Sequence, residues 1–400
     1  MKKNNMGRLN TIILALSIGI SVLGCSAGEV ARVGRIVATG DVASAQRMAA
    51  EKAARYAVNP DALERDIRRL QQETAKIVAA FRSAVGGEWG DREIKEPTPK
   101  EYVKYTQNYL SRASVDFDRG EITVETLDPD DPLKSLKSAI VTTLLTPEDP
   151  RAVDLYSART VELGQMPFLY GEVIDHQGQE IRWPWRAGIF ADHLIENELR
   201  TRRIEAGDGT RNVHSVMIRM VKDHHEVRAL KYRSLVERFA KDFSVSKNLI
   251  YAIIKTESDF NPYAVSHAPA FGLMQVVPTT AGQDVHRFLT NRDGIPSKEI
   301  LLSPEDNIRY GTAYLHLLQD RYLKGIHDPV SREYCVIAAY NAGAGTVLRT
   351  FDPDRNQAPD RINNLSPVEV LAALRADLPS HEGRRYLAKV MDAKRDFVNF

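Results

Sequence analysis

Leu249-Ile250-Tyr251-Ala252-Ile253-Ile254-Lys255-Thr256-Glu257-Ser258-Asp259-Phe260-Asn261-Pro262 is the stretch that decides how this chain is read. Leu249, Ile250, Ile253 and Ile254 recur at helical spacing, and Ser246 stands where an N-cap belongs. A helix begun there carries Leu249, Ile253 and Glu257 on one stripe, so the glutamate continues an apolar face. Asn261-Pro262 ends the helix, because proline disfavours helical backbone in the residue before it. A carboxyl at the C-terminal end of a buried stripe loses hydration and meets the negative end of the helix dipole. Both effects raise its pKa, which suits a proton donor near neutral pH. The plain alternative is a glutamate at a helix end that turns into solvent.

Four patterns follow in order: Glu257-Ser258-x-Phe260-Asn261-Pro262-x-Ala264-x-Ser266, Gly272-Leu273-Met274-Gln275, Ala339-Tyr340-Asn341-Ala342-Gly343 and Glu382-x-x-x-Tyr386. Together they resemble the catalytic domain of lytic transglycosylases of the soluble-lytic-transglycosylase type, which is similar in fold to goose-type lysozyme. Phe168-x-Tyr170-Gly171-x-Val173-x-Asp175-x-x-Gly178-Gln179-x-Ile181-Arg182-Trp183 extends the likeness to membrane-bound members of that family, from near Tyr102 to the C-terminus.

The resemblance implies a lyase that cuts peptidoglycan glycan strands with one acid. Glu257 would protonate the oxygen between N-acetylmuramic acid and N-acetylglucosamine. The substrate's 2-acetamido group would stabilise the anomeric carbon. Glu257, now a base, would free the C6 hydroxyl to attack C1, leaving a 1,6-anhydromuramoyl end in cell-wall turnover. By the same resemblance Ser266 hydrogen-bonds near the acetamido group or Glu257, and Gln275 lines the cleft and binds sugar. Tyr340 holds the Glu257 carboxyl or the acetamido group, Asn341 supports the cleft floor, and Tyr386 approaches Glu257 from a C-terminal helix. Ser258 braces the helix end, Met274 is core, and Gly272 and Gly343 allow close backbone approach.

The residues themselves offer no second carboxylate for a two-acid glycosidase. Asp259 lies two residues from Glu257, off its helix face, and Asp284, Asp293 and Asp306 sit in turn or cap contexts. Two rivals stand beside the transglycosylase reading: a goose-type hydrolase using water, and a non-catalytic peptidoglycan-binding protein.

Residues 1–24 read as a targeting segment. Lys2, Lys3 and Arg8 precede a charge-free apolar run from Thr11 to Gly24, too short for a comfortable membrane span. Val22-Leu23-Gly24-Cys25 resembles a lipobox, so Cys25 is the expected lipid-bearing residue. Ser26 after it implies an outer-membrane anchor facing the periplasm. The full-chain charge of +1 falls to −2 without this segment, which gives no electrostatic case for nucleic acid. The second cysteine, Cys335, reads as a small buried hydrophobe. His224-His225 are adjacent, without the one-face spacing of paired helical ligands, and mark a domain boundary. No metal or other cofactor is expected, and partners among cell-wall synthesis or division proteins stay unknown.

The expected architecture is α+β: a signal peptide over 1–24, an N-terminal antiparallel sheet with helices over 25–222, and a mainly α lysozyme-like catalytic domain over 223–400. Helix is expected from Ala27 to Val85, with Leu63, Ile67, Leu70, Ile77, Phe81 and Val85 facing core, broken at Gly86-Gly87. One hairpin turns at Asp118-Arg119-Gly120. A second, Phe168–Ile174 with Gln179–Trp185, turns at Asp175–Gly178; its Trp183 and Trp185 are read as packing within a strand, with stacking on sugar rings the alternative. Asp131-Pro132, Ser303-Pro304 and Ser366-Pro367-Val368-Glu369 open helices.

Overall fold

The computed structural model describes residues 60–206, 209–266 and 270–400. The signal segment, Cys25 and the helix expected from Ala27 onward lie outside them up to residue 59, as do the side chains of Leu63, Ile67 and Leu70. Among the described residues no helix is long and apolar enough to cross a membrane.

One antiparallel sheet organises the N-terminal half: β1 (Glu101–Thr106), β2 (Ser111–Asp116), β3 (Glu121–Thr126), β4 (Arg200–Ala206) and β5 (Gly209–Arg219), in the order β1-β2-β3-β5-β4. The β2–β3 hairpin pairs Val115 with Ile122. Its turn closes because Asp116 Oδ1 accepts the backbone N–H of Asp118 and Arg119, both at 3.0 Å, and Gly120 takes φ +66°. Helices α1 (Pro60–Trp89), α2 (Pro132–Leu144) and α3 (Pro184–Glu198) cover the sheet. Tyr102, Val115, Ile122, Val124 and Val216 face Leu136, Ile140, Phe190 and Leu194 of α2 and α3. Val103, Tyr105 and Val213 face Phe81, Val85 and Trp89 of α1. Each large side chain so withdrawn from water contributes on the order of 1.5–3 kcal/mol.

Three expectations are corrected. The Gly86-Gly87 pair does not break α1, which runs on to Trp89. Trp89 is fully buried, donates its indole N–H to the Tyr109 carbonyl at 2.7 Å and lies 3.8 Å from the Arg112 guanidinium. That anchoring outweighs the roughly 1 kcal/mol a helical glycine costs. Ile77 is 45% exposed, because only the last turns of α1 reach the sheet. The second hairpin is a single bridge between Ile174 and Glu180, and Trp183-Pro184 begins α3. Asp175 takes the local hydrogen bonds instead, from the N–H groups of Gln177 and Gln179, and pairs with Arg186 at 2.6 Å. Trp183 and Trp185 are consequently exposed, at 55% and 59%, each under a neighbouring arginine.

A short helix, α4 (His224–Leu230), leads into the C-terminal half, which is helical. Its members are α5 (Arg233–Phe243), α6 (Lys247–Ser258), α7 (Ala281–Thr290), α8 (Lys298–Leu302), α9 (Pro304–Leu317), α10 (Pro329–Ala342), α11 (Ala344–Phe351), α12 (Ala358–Asn363), α13 (Pro367–Asp377) and α14 (His381–Asp396). The caps are local: Ser303 Oγ accepts from Asp306 N–H, and Ser366 with Glu369 forms a capping box. Helix α6 is buried on nearly every side, from Leu249 through Ile254. Tyr251 stacks on Phe397 beyond α14 at 5.1 Å.

The two halves interlock just past α6. Tyr263 and Val265 belong to the N-terminal core, with the Tyr263 ring 5.1 Å from Tyr102 and 5.4 Å from Phe168. The Tyr263 hydroxyl donates to the Pro147 carbonyl. Arg228 of α4, 1% exposed, donates to Glu172 Oε2 at 2.6 Å, and Lys231 donates to Glu172 Oε1 at 2.6 Å.

Candidate active site

Helix α6 ends at Ser258 because Asp259 and Phe260 both take left-handed backbone, at φ 52° and 60°. Asn261-Pro262 follows and cannot resume the helix. Glu257 is left on the last turn, half-buried. The Tyr386 hydroxyl of α14 donates to Glu257 Oε1 at 2.7 Å. Burial raises the Glu257 carboxyl to about 7, and Glu382 adds to the rise; the Tyr386 hydrogen bond, Lys100 and Lys389 act against it. Beside it opens a cavity of about 380 Å³. One wall is Glu382, Arg385, Tyr386 and Lys389 of α14; the other is Thr98, Pro99 and Lys100, contributed by the N-terminal half.

The Gly272–Gln275 loop lies against Ser258, the neighbour of Glu257, and is tied at three points. Ser258 Oγ lies 2.7 Å from the Leu273 carbonyl and 3.1 Å from that of Ile254. The Tyr340 hydroxyl donates to the Met274 carbonyl at 2.8 Å. Asn307, fully buried on α9, accepts from Met274 N–H and donates to the carbonyls of Phe271 and Leu301, each at 2.7 Å. Gly272 has φ +71°, and a Cβ there would lie 2.4 Å from Asn307 Nδ2 and 2.6 Å from the Leu301 carbonyl. Close approach therefore requires glycine at 272. At Gly343 nothing lies within 4 Å of such a Cβ, so there only the φ of +82° calls for glycine. Met274 is buried and packs on Gly311.

Tyr340 does not hydrogen-bond the Glu257 carboxyl; its hydroxyl is engaged by Met274, and Tyr386 is the phenol that reaches the acid. Gln275 is nearly buried, at φ 47°, and its amide nitrogen donates to the carbonyls of Gly272 and Ala264 at 2.9 and 3.2 Å. Its amide oxygen takes no part in these two bonds. Ser266 Oγ accepts from Ala270 N–H at 3.4 Å. Asn341 is exposed, and its Oδ1 faces Gly383 at the start of α14. That start is set by Ser380, whose hydroxyl accepts from Gly383 N–H at 2.9 Å.

Of the other acids weighed from the sequence, Asp306 stands in the first turn of α9 and the remaining three are occupied. Asp284 accepts from the Tyr322 hydroxyl at 2.9 Å and Asp293 pairs with Arg287 at 2.5 Å. Asp259 is buried against His225 and Lys100. Lys100, Asn307 and Glu382 as a cavity-lining carboxylate were not singled out from the sequence. Glu382 had a signal, its place in the motif with Tyr386; Asn307, a polar residue among the apolar positions of α9, had a faint one; Lys100 had none. Among the described residues no group of three metal-binding side chains assembles. Cys335 is fully buried and its thiol is pushed up to about 12 by that burial.

The site thus offers one carboxyl near neutrality, a neutral phenol aimed at it, and a cavity lined also by Lys100, Arg385 and Lys389. Residues 62–231 match the family model described as membrane-bound lytic murein transglycosylase C, N-terminal domain, and residues 234–363 match the transglycosylase SLT domain. The membrane-bound lytic murein transglycosylase C of Yersinia enterocolitica is 46% identical over 322 residues, covering 80% of this chain and 88% of that protein. Its counterpart in Yersinia pestis is 46% identical over 325 residues, covering 81% and 89%. A shorter stretch aligns at 28% identity with the 70 kDa soluble lytic transglycosylase Slt70 of Escherichia coli, covering 44% of this chain and 26% of that one at a TM-score of 0.34. Tyr386, Glu382 and Lys100 all lie outside the matched SLT segment.

Proposed function

The chain belongs to the membrane-bound lytic murein transglycosylase C family and is a peptidoglycan lytic transglycosylase, and from that premise we propose that Glu257 is its general acid and base. One observation carries the assignment: a half-buried carboxyl at the end of α6, held by Tyr386 and raised to about 7. A group with that pKa is populated in both forms near neutrality, so it can give a proton and take one back within a cycle.

In this reading the protonated Glu257 delivers its proton to the glycosidic oxygen between N-acetylmuramic acid and N-acetylglucosamine. The acetamido group stabilises C1 as the bond breaks. The Glu257 carboxylate then removes the C6 hydroxyl proton, and that oxygen closes on C1. No water is consumed, which makes the enzyme a lyase. Gln275, Ser266, Tyr340 and Asn341 are proposed to border the sugar, and Tyr386 to orient the acid. The catalytic unit is proposed to run over 223–400 and the N-terminal unit over 25–222. Cys25 is proposed to carry the lipid that anchors the protein in the outer membrane, facing the periplasm.

Hydrolysis is the second reading, and Glu382 on the same cavity is the observation in its favour. Mass spectrometry of products formed from purified peptidoglycan in heavy-oxygen water separates the two. Unlabelled 1,6-anhydromuramic ends that borohydride does not reduce are expected. Predominantly labelled, reducing muramic ends would assign the chemistry to water and make Glu382 the first candidate for its base.

A further inference from the structure

Asp259 follows α6 and is fully buried, yet it takes no part in the chemistry above. An isolated buried carboxylate is unfavourable by several kcal/mol. Here it is compensated from the N-terminal side. His225 Nδ1 lies 2.9 Å from Oδ1, Lys100 Nζ lies 3.4 Å from Oδ2, and Arg228 Nη1 lies 3.9 Å from Oδ1. Arg228 Nη1 also donates to the Asp259 backbone carbonyl at 2.6 Å. Two residues on, Asn261 donates its side-chain amide to the Pro99 carbonyl at 3.0 Å. The end of α6 is therefore gripped by two elements, the Pro99-Lys100 entry to β1 and helix α4.

This grip explains the backbone. Left-handed φ at two successive non-glycine residues is strained. Such strain persists where the surroundings over-determine it, and it places Glu257 at the cavity edge.

Lys100 gives the arrangement a second consequence. It lines the same cavity as Glu257. An ammonium free to approach Glu257 would favour the carboxylate and remove the proton donor. Asp259 on one side and Asp118, 3.9 Å away on the other, offer it counter-charges elsewhere.

We propose that Asp259 is a positioning residue that holds the Lys100 ammonium and the end of α6 against the N-terminal half, so that Glu257 meets the cleft without a paired cation. The proposal rests on Glu257 being the acid. Burial would raise the Asp259 carboxyl, but His225, Lys100 and Arg228 hold it down at about 2, so its charge is constant wherever Glu257 titrates. The groups around Glu257 are Tyr386, Glu382, His381, Arg385 and Lys389 of α14, Tyr340 of α10, and Lys100. Those around Asp259 are Lys100, His225 and Arg228, with His224 against His225 at 4.0 Å.

The test is the pH–rate profile of full-length Asp259→Asn on purified peptidoglycan. Asparagine tolerates left-handed backbone as aspartate does, so the fold is kept while the charge is lost. The expected result is a kcat lowered about tenfold near neutral pH, KM within about twofold, and an alkaline limb moved down by about one unit. Adding Lys100→Met to Asp259→Asn removes the cation and brings the limb back. Asp259→Ser repeats the charge removal with a smaller side chain should the asparagine variant not fold. An unmoved limb in both Asp259 variants, or a limb that Lys100→Met fails to restore, overturns the proposal and leaves Asp259 a structural brace. Near-normal turnover in Glu257→Gln would instead overturn the acid on which it rests.

Discussion

The Tyr386 hydroxyl donates to Glu257 Oε1 at 2.7 Å although 129 residues separate the two in sequence. Burial and the neighbouring Glu257 push the Tyr386 hydroxyl well above its ordinary pKa, so it stays a neutral donor. A donor to the carboxylate favours the charged form and counteracts part of what burial does to Glu257. Tyr386→Phe should therefore raise the Glu257 pKa and move the alkaline limb of kcat/KM to higher pH. The rate near neutrality should fall about tenfold, as the acid loses its orientation. A limb moving to lower pH would contradict this hydrogen bond's role.

Glu257→Gln should lower kcat by roughly 10²–10⁴-fold with the fold intact, by circular dichroism and by retained glycan binding. Its stability carries a second signature. Because the folded carboxyl titrates at about 7 and the unfolded one near 4.5, the folded state holds the proton longer as pH rises. Stability is thus lost between those two values, and the full penalty is present above about 7. Glutamine has no such penalty. The variant should be stabilised relative to the parent by roughly 1–3 kcal/mol on the alkaline side and by nothing on the acid side. Urea titrations at two pH values read this directly.

Asn307→Ala should be costly out of proportion to its size. It leaves Met274 N–H and the carbonyls of Phe271 and Leu301 without the amide that joins them. Orphaned buried polar groups cost about 1–3 kcal/mol each, so a loss of about 2–4 kcal/mol is expected in chemical denaturation. Activity should fall with a raised KM, because the Gly272–Gln275 loop bonds to Ser258 beside Glu257 and carries Gln275, which is proposed to border the sugar. Unchanged stability would show that the loop is held by Ser258 and Tyr340 alone.

Cys25→Ser should release the protein from the membrane fraction without altering turnover in detergent-free assays, since Cys25 lies far in sequence from every group at the cleft. Fractionation of cells expressing the variant checks it. Continued sedimentation with outer membrane would remove the lipid anchor from the account.

Much of the fold was legible because its signals are local. The apolar spacing of α6, the caps at Ser303 and Ser366, the proline after Asn261 and the Asp118–Gly120 turn each depend on residues within a few positions of one another. The misreadings arose where distant packing overrode a local preference. Gly86-Gly87 stays helical because Trp89 is buried beneath Tyr105 and Arg112. Strand β1 carries no alternation because both its faces are covered, and β4 none because an exposed edge strand carries arginines in place of apolar residues.

At the site the division is sharper. The order of the motifs, with Glu257 ending a buried stripe, was determined by the sequence alone, since helical periodicity and a proline stop need nothing from the rest of the chain. Which groups meet Glu257 was decided by tertiary structure. Tyr386 arrives because α14 packs along α6, and Lys100 because Tyr263 seats the following segment in the N-terminal core. Asn307 arrives because Gly272 allows close approach. The physical reason is common to all three. A hydrogen bond or ion pair between residues far apart in the chain leaves no periodicity in the sequence, and forms only when the hydrophobic cores on either side bring the two elements into contact.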